Sequence, residues 1–289
     1  MTAELYQTLL TEGAWVDLST RAKWRLSGAD RVRYLNGQVT NDVRTAQKEH
    51  ALYACVTNLK GKIEADIHIH VSADGESLLF DAVADLREPL GMRLERYIIA
   101  DDAVLEDISE ECQLWHRIGS ASGESLPDGQ TVENSRRFGL PGTDVWLPST
   151  GPIPETRVIS EEEAETLRIL QRVPTWPHEL NTETFPPEAG LETSAMSFTK
   201  GCYIGQEILS RIKTTGKMPR QLVAWRAQTA PSPQDMIQDT QGQSIGVITS
   251  VTQHPVTKEF VGLAYVKQSA IDTPGWTTAS GIRLTRTMA

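Results

Sequence analysis

The chain has 289 residues, of which 39% are hydrophobic and 23% are charged, and its formal net charge is −10. This length and composition predict a globular protein of two or three domains rather than a disordered chain. The sequence holds no apolar run near the roughly 20 residues of a membrane-spanning helix and no signal-peptide pattern at its start. We therefore expect a cytoplasmic protein with no membrane partner, and its acidity argues against direct nucleic-acid binding.

The three cysteines, Cys55, Cys112 and Cys202, lie far apart in the sequence. An odd number of cysteines without a C-x-x-C pair fits neither a disulfide framework nor a self-contained zinc site. A reducing compartment is therefore expected.

Charge is distributed unevenly along the chain. The first 199 residues hold 18 basic and 33 acidic residues, whereas residues 200–289 hold 10 basic and 5 acidic ones. A basic segment over 200–220 within an acidic protein suggests a specific anionic ligand, although a solvated helix end would give the same pattern.

Hydrophobic periodicity and turn residues predict mixed elements in the first 120 residues. In chain order these are a helix over Glu4–Leu10, strands over Ala14–Leu18 and Ala22–Leu26, a helix from an N-cap at Asp30 to a stop at Gly37, a hairpin of Leu52–Thr57 and Ile63–Val71, a strand over Leu78–Val83, a helix over Asp85–Tyr97, and strands near Ala103–Ile108 and Gln113–Ile118.

The second half begins with mixed elements and ends in strands alone. The expected elements are a surface loop over Gly119–Gly129, a strand at Val145–Leu147, a helix over Glu161–Val173 ended by Pro174, a Pro-rich loop up to Gly190, and strands over Leu222–Ala227, Ser244–Thr252, Glu259–Val266 and Ile282–Thr287. A structureless loop as long as the Pro-rich one is usually functional or a linker.

The strand predicted over Ile63–Val71 alternates strictly between apolar and polar residues. Its polar face carries Glu64, Asp66, His68 and His70. Two histidines and two carboxylates on one face could hold a metal ion, but such a row is more often the solvent-facing side of an antiparallel sheet.

The segment around Cys202 carries the strongest chemical signal. The spacing of Ile204, Ile208 and Ile212 predicts a helix that begins near Gly205, so Cys202 would precede a helix N-terminus. Such a position stabilises a thiolate, although free cysteines are more often buried and inert.

Two basic residues flank this thiol. Lys200 lies two residues before it and Arg211 lies along the predicted helix, and both are expected to lower the thiol pKa. Cys202 is therefore a candidate functional thiol.

The segment Lys200–Glu207, followed by Arg211, resembles the signature of the YgfZ family of folate-binding proteins. This family is related to the glycine-cleavage T-protein, an aminomethyltransferase, and to a mitochondrial iron–sulfur assembly factor. Similar matches over nearly the whole chain are Leu26–Asp30, Leu35–Asp42, Asn58–Lys62, Pro186–Leu191, Gly246–Ser250 and Gly262–Val266.

The resemblance implies an α+β, three-lobed T-protein-like fold. Two interleaved α+β lobes over residues 1–215 would surround a central channel, and a C-terminal antiparallel β-barrel would cover residues 216–289.

The resemblance also implies that the protein binds tetrahydrofolate and helps to assemble or repair iron–sulfur clusters. Its clients would be iron–sulfur proteins, including tRNA-modifying radical enzymes, with transient contact to a cluster and no resident metal, and a monomer is expected. The carboxylates of folate could meet the basic segment 211–220. The residues expected to bind folate are Lys200, Tyr203, Gln206, Glu188, Arg211, Asn41 and Trp24.

One departure bears on the reaction. T-proteins carry adjacent acids on the strand after their glycine turn, whereas this chain reads Ala65-Asp66. Asp66 could still be a catalytic acid, so the alternative is a folate-dependent, aminomethyltransferase-like one-carbon transferase. A non-catalytic folate sensor or scaffold is the third hypothesis, and turnover is left open.

Overall fold

The computed structural model describes residues 1–119, 129–154 and 157–287. Within this part of the chain the helices are α1 (Ala3–Thr11), α2 (Arg31–Gln38), α3 (Arg87–Glu95), α4 (Glu161–Leu170) and α5 (Gln206–Thr215). The strands are β1 (Ala14–Asp17), β2 (Ala22–Ser27), β3 (Leu52–Thr57), β4 (Ile63–Val71), β5 (Leu78–Ala82), β6 (Val104–Asp107), β7 (Cys112–Ile118), β8 (Gln130–Ser135), β9 (Gly142–Pro148), β10 (Arg220–Ala227), β11 (Met236–Gln238), β12 (Ser244–Gln253), β13 (Phe260–Lys267), β14 (Thr277–Thr278) and β15 (Thr285–Thr287). None of these helices is long and apolar enough to cross a membrane. The loop predicted over Gly119–Gly129 lies almost wholly outside the described residues.

The strands form three antiparallel sheets. The first has the order β3-β4-β5-β2-β6, the second β1-β7-β9-β8, and the third β14-β11-β12-β13-β10-β15. Because β1 precedes the whole first sheet and β7–β9 follow it, the first two sheets are interleaved along the chain. The resemblance implied this interleaving.

The predicted hairpin of β3 and β4 is confirmed with its bounds. Its apolar face, which includes Ile67 and Ile69, packs with Leu35 of α2 and Leu90 of α3 in the core of the first lobe. The α-helices therefore cover one face of the first sheet, and the second sheet lies against the other face.

The polar face of β4 is not the solvent-facing side that its pattern favours. Asp66 and His70 are buried, because the second sheet packs across this face. The ring of His70 lies 4.9 Å from that of Trp146 on β9. No group of three or more metal-ligating side chains occurs among the residues that the structure describes.

The C-terminal strands form one six-stranded sheet, and its closure into the expected barrel stays a prediction. The edge strands β14 and β15 contain only two and three residues, and within residues 220–287 a single antiparallel bridge, between Thr277 and Arg283, links β14 to the chain just before β15. The strand predicted over Ile282–Thr287 is shorter than expected, since β15 covers only Thr285–Thr287. Leu284, which lies before β15, is buried. The domain boundary after residue 215 stays a prediction.

Further elements differ from the predictions, and the short strands β11 and β14 were not predicted. Strand β8 was missed because Gln130–Ser135 contains a single aliphatic residue, Val132, and so shows no alternation. Helix α2 does not stop at Gly37 but continues to Gln38, after which Val39 is extended.

Helix α5 begins after Gly205, as the periodicity predicts. Gly205 has φ +88°, and a Cβ there would lie 2.6 Å from the carbonyl oxygen of Asn58 and 2.9 Å from Cα of Gly61. The turn between β3 and β4 therefore packs directly on the start of α5, which leaves no room for a side chain.

Gly205→Ala is expected to lower the free energy of unfolding by about 3 kcal/mol, through backbone strain and a clash with the turn. Gly216, at the other end of α5, is the matched control: it has φ +64° but open space around its Cβ position. Gly216→Ala should cost only about 1 kcal/mol. Urea unfolding measures both, and equal losses would contradict the close packing at Gly205.

Candidate functional site

A cavity of about 570 Å³ lies between the first two sheets, the end of α4 and the Pro-rich loop. Strands β3 and β4 contribute Tyr53, Asp66 and His68 to its wall, and the chain after β8 contributes Arg136 and Arg137. The polar face of β4 thus becomes part of a cavity wall.

Asp66 lines this cavity, and one oxygen of its carboxyl group has no hydrogen-bond partner in the described chain. The side chain is only 8% exposed, and its Oδ2 accepts a hydrogen bond of 3.1 Å from the hydroxyl of Tyr53. Its Oδ1 is buried and has no hydrogen-bond partner within the described residues. Burial raises the pKa of Asp66, and the nearby charge of Arg21 opposes the rise. Such a carboxyl can donate a proton to a ligand or accept one from it.

Arg137 joins the two sheets behind the cavity. Its guanidinium bonds to Asp81 on β5 at 2.6 and 2.9 Å and to Asp144 on β9 at 2.9 and 3.0 Å. Burial would raise the pKa of each carboxyl, but the charge of Arg137 outweighs it and holds both pKa values far below the usual range. Asp144 also accepts a hydrogen bond of 2.7 Å from Nδ1 of His116.

The histidines of β4 are neutral at neutral pH. Burial and the charge of Arg137, which donates to Nδ1 of His68 at 3.1 Å, hold the pKa of His68 well below its usual value. Burial lowers the pKa of His70 to about 4. The two imidazoles near Arg137 therefore carry no charge at neutral pH.

A second buried ion pair lies at the other side of the cavity. Arg168 of α4 lines the cavity and donates to the fully buried Glu179 of the Pro-rich loop at 3.0 Å. Ser250 of β12 donates to the same carboxylate at 2.5 Å, and Tyr265 of β13 donates to the backbone carbonyl of Glu179 at 2.9 Å. The loop is thus tied to the helix and to the third sheet.

Sequence reasoning missed the residues of these two networks. Asp81 offered a signal, since it interrupts the apolar run of β5, and Glu179 stands in a loop that was expected to be functional. The partner of Asp81, Arg137, lies 56 residues away, and the partner of Glu179, Arg168, lies 11 residues away. No spacing rule connects either pair.

Among the residues predicted for the site, Asp66 is the one in the cavity wall. Cys202 is exposed and precedes α5, as predicted, but it does not line this cavity. Arg211 is also exposed, on α5. The site roles of these residues stay predictions.

The predicted residues next to Cys202 bond to the protein itself. Lys200 donates to three backbone carbonyls at 2.6–2.7 Å, and burial lowers its pKa to about 8. Tyr203 is buried with no partner for its hydroxyl in the described chain, and burial raises its pKa to about 12. Gln206 accepts from the backbone N–H of Tyr203 at 3.3 Å.

The remaining predicted residues are spread over the fold. Asn41 donates to the carbonyl of Tyr53 at 2.9 Å and so supports the strand beside Asp66. Glu188 is buried and accepts from Arg220 at 3.4 Å. Trp24 lies in the core of the first lobe, with its ring stacked on Phe80.

Asp66→Asn is expected to raise the free energy of unfolding by about 1 kcal/mol at pH 8, because a neutral amide replaces a buried carboxylate. The raised pKa means that the folded protein holds this proton to higher pH than the unfolded chain does. The stability that the protonated form provides is therefore present at low pH and lost as the pH rises through the folded pKa.

The increase in the free energy of unfolding that Asp66→Asn causes should accordingly shrink toward pH 4. Urea unfolding at pH 4, 6 and 8 measures this increase. Asp85→Asn is the control, because the side chain of Asp85 is exposed. A gain at Asp66 that does not change with pH would contradict its protonation at low pH.

Comparison with known proteins supports the fold. No family model matches the chain. An aminomethyltransferase of Bacillus cytotoxicus is 25% identical over 93% of this chain and 83% of that protein. A mitochondrial iron–sulfur cluster assembly factor IBA57 homolog of Pyricularia oryzae is 27% identical over 71% of this chain and 55% of that protein. The crystal structure of glycine cleavage system aminomethyltransferase T from Bartonella henselae superposes with a TM-score of 0.81 at 18% identity, over 96% of this chain and 85% of that one. The chain therefore has the aminomethyltransferase T fold.

Proposed function

We propose that this protein binds a reduced folate in the cavity between its first two lobes and acts in iron–sulfur cluster assembly through the thiol of Cys202. The proposal places it in the cytoplasm as a monomer whose clients are iron–sulfur proteins. The observation that carries the folate assignment is the carboxyl group of Asp66 in the cavity wall, whose side-chain partner is the hydroxyl of Tyr53. A carboxyl group in a cavity wall can bond to the N–H groups of a ligand.

The cavity suits the parts of a folate. Its volume of about 570 Å³ falls within the range of small-molecule sites. A pterin is flat and carries ring N–H donors. The rings of Tyr53 and His68, whose centroids are 4.6 Å apart at an angle of 31°, give the wall aromatic surface, and Asp66 next to them accepts hydrogen bonds.

The anionic end of a folate fits the arginines of the wall. Three of them, Arg21, Arg137 and Arg168, are paired with buried acids. Arg136, by contrast, is exposed and makes no ion pair within residues 129–154 or the rest of the described chain, so its charge is available to a carboxylate. This residue is better placed for a ligand in the cavity than the basic segment 211–220 considered from the sequence.

The assembly role draws on the thiol and on one relative. Cys202 is exposed in the loop that precedes α5, where a client protein can reach it. The Pyricularia oryzae relative is named as an iron–sulfur cluster assembly factor. A bound folate would supply one-carbon chemistry, and Tyr53 and Asp66 are the residues that would hold its pterin ring.

Calorimetric titration with tetrahydrofolate is expected to show one site per chain. Asp66→Asn should weaken binding by about tenfold, because the amide cannot replace a carboxyl that bonds to ring N–H groups. Asp85→Asn should bind as the wild type does. No heat of binding with any reduced folate, or equal affinity of Asp66→Asn, would reject the cavity assignment.

An aminomethyltransferase is the second candidate, and Asp66 is the observation that favours it. A cavity carboxyl with a raised pKa can act as a general acid, and two of the relatives above carry that enzyme's name. Turnover of an aminomethyl donor with tetrahydrofolate, abolished in Asp66→Asn, would establish this activity and displace the first proposal.

Cys202→Ala is expected to abolish the ability of the gene to restore iron–sulfur enzyme activity in a host that lacks its own assembly factor of this type. Folate affinity and the free energy of unfolding should not change, since the side chain is exposed and outside the cavity wall. Cys112→Ala is the control thiol. Full restoration by Cys202→Ala would remove the thiol from the function.

A further inference from the structure

The residues Ser197–Gly205, here called the cysteine loop, connect the Pro-rich region to α5. Cys202 and Gly201 are exposed, whereas Lys200 and Tyr203 on either side are buried. The loop therefore projects the thiol outward from a base that is anchored on both sides.

The base of the loop is held by one ammonium group. Nζ of Lys200, only 5% exposed, donates to the carbonyl oxygens of Asn36 at 2.6 Å, Val39 at 2.7 Å and Asn41 at 2.7 Å. An ammonium has three donors, so all of them are used within the protein.

The three carbonyls belong to the end of α2 and the residues that follow it. The last carbonyls of a helix have no partner within the helix and carry the negative end of its dipole, so a cation is favoured there. The ring of Tyr203 lies 5.0 Å from the same ammonium and adds a cation–π contact.

Backbone bonds on each side of Lys200 join the same two segments. Ser197 donates from its N–H to the carbonyl of Thr40 at 3.0 Å, and Ile204 donates to that of Gly37 at 3.2 Å. Between these two bonds, the side chain of Lys200 is the link that crosses from the loop to the end of α2.

We propose that Lys200 is a positioning residue for Cys202: its ammonium fixes the cysteine loop on the end of α2 and does not bind the folate. Only the purpose of the thiol in this inference rests on the proposed function. The geometry of the clamp and its test are independent of any folate or cluster.

Amide hydrogen exchange followed by mass spectrometry tests the clamp. In Lys200→Met, which keeps the length of the side chain but removes the charge and the donors, exchange of peptides covering 197–205 and 36–41 should rise by about tenfold. Lys60→Met is the matched control. Lys60 is exposed on the turn that packs against α5, and its ammonium has no contact in the described chain, so exchange should remain at the wild-type rate.

Chemical rescue separates the ammonium from simple packing. Lys200→Ala leaves a gap that n-propylammonium can fill, with its nitrogen among the three carbonyls. Millimolar n-propylammonium chloride should restore protection of both segments, whereas tetramethylammonium, which has no N–H donor, should not. Equal rescue by both salts would overturn the role of the hydrogen bonds.

Three results decide the proposal. Local loss of protection with specific rescue supports it. Unchanged exchange in Lys200→Met overturns it, and so does a rise that extends equally to β12 and β13, because Lys200 would then support the whole fold. Lys200→Met should also lose Cys202-dependent complementation while retaining folate affinity. If even the wild type fails to complement, the proposed function falls, but exchange and rescue still decide the role of Lys200.

Discussion

A buried arginine between two carboxylates from different sheets determines how the first two lobes meet. Arg137 bonds to Asp81 on one sheet and Asp144 on the other, and all three side chains are nearly inaccessible to water. Removal of Arg137 would leave the buried carboxylate of Asp144 without its arginine partner, and an uncompensated buried charge costs far more than the net contribution of the intact group. The sheets therefore meet through polar side chains of fixed geometry, and a purely apolar layer would close the space that forms the cavity.

Asp66 differs from these acids although it lies on the same sheet face as Asp81. Asp81 and Asp144 have arginine partners, and their pKa values are depressed, whereas Asp66 has a tyrosine hydroxyl on one oxygen and a raised pKa. The paired acids serve to hold the lobes together. The unpaired one is the carboxyl that can change its protonation state for a ligand.

The sequence was sufficient where local periodicity determines structure. The β3–β4 hairpin and the start of α5 near Gly205 follow from alternation and from isoleucine spacing. The polar face of β4 was misread as solvent-facing, because the sheet that covers it comes from residues 112–148, beyond any local pattern. The strand predicted over Ile282–Thr287 was too long, because nothing local to Thr285–Thr287 shows how short an edge strand will be. Lys200 carries a strong motif, but its three carbonyl partners lie about 160 positions away and could be found only in the folded chain.

The contacts of Glu179 bear on how independent the parts of this molecule are. Its carboxylate accepts from Ser250 and its carbonyl from Tyr265, both in the third sheet, while it pairs with Arg168 in the cavity wall. A fragment that ended before the third sheet would expose this ion pair to water and release the Pro-rich loop. The C-terminal region thus supports Arg168 in the cavity wall through Glu179, and evolutionary loss or exchange of it would alter the cavity as well.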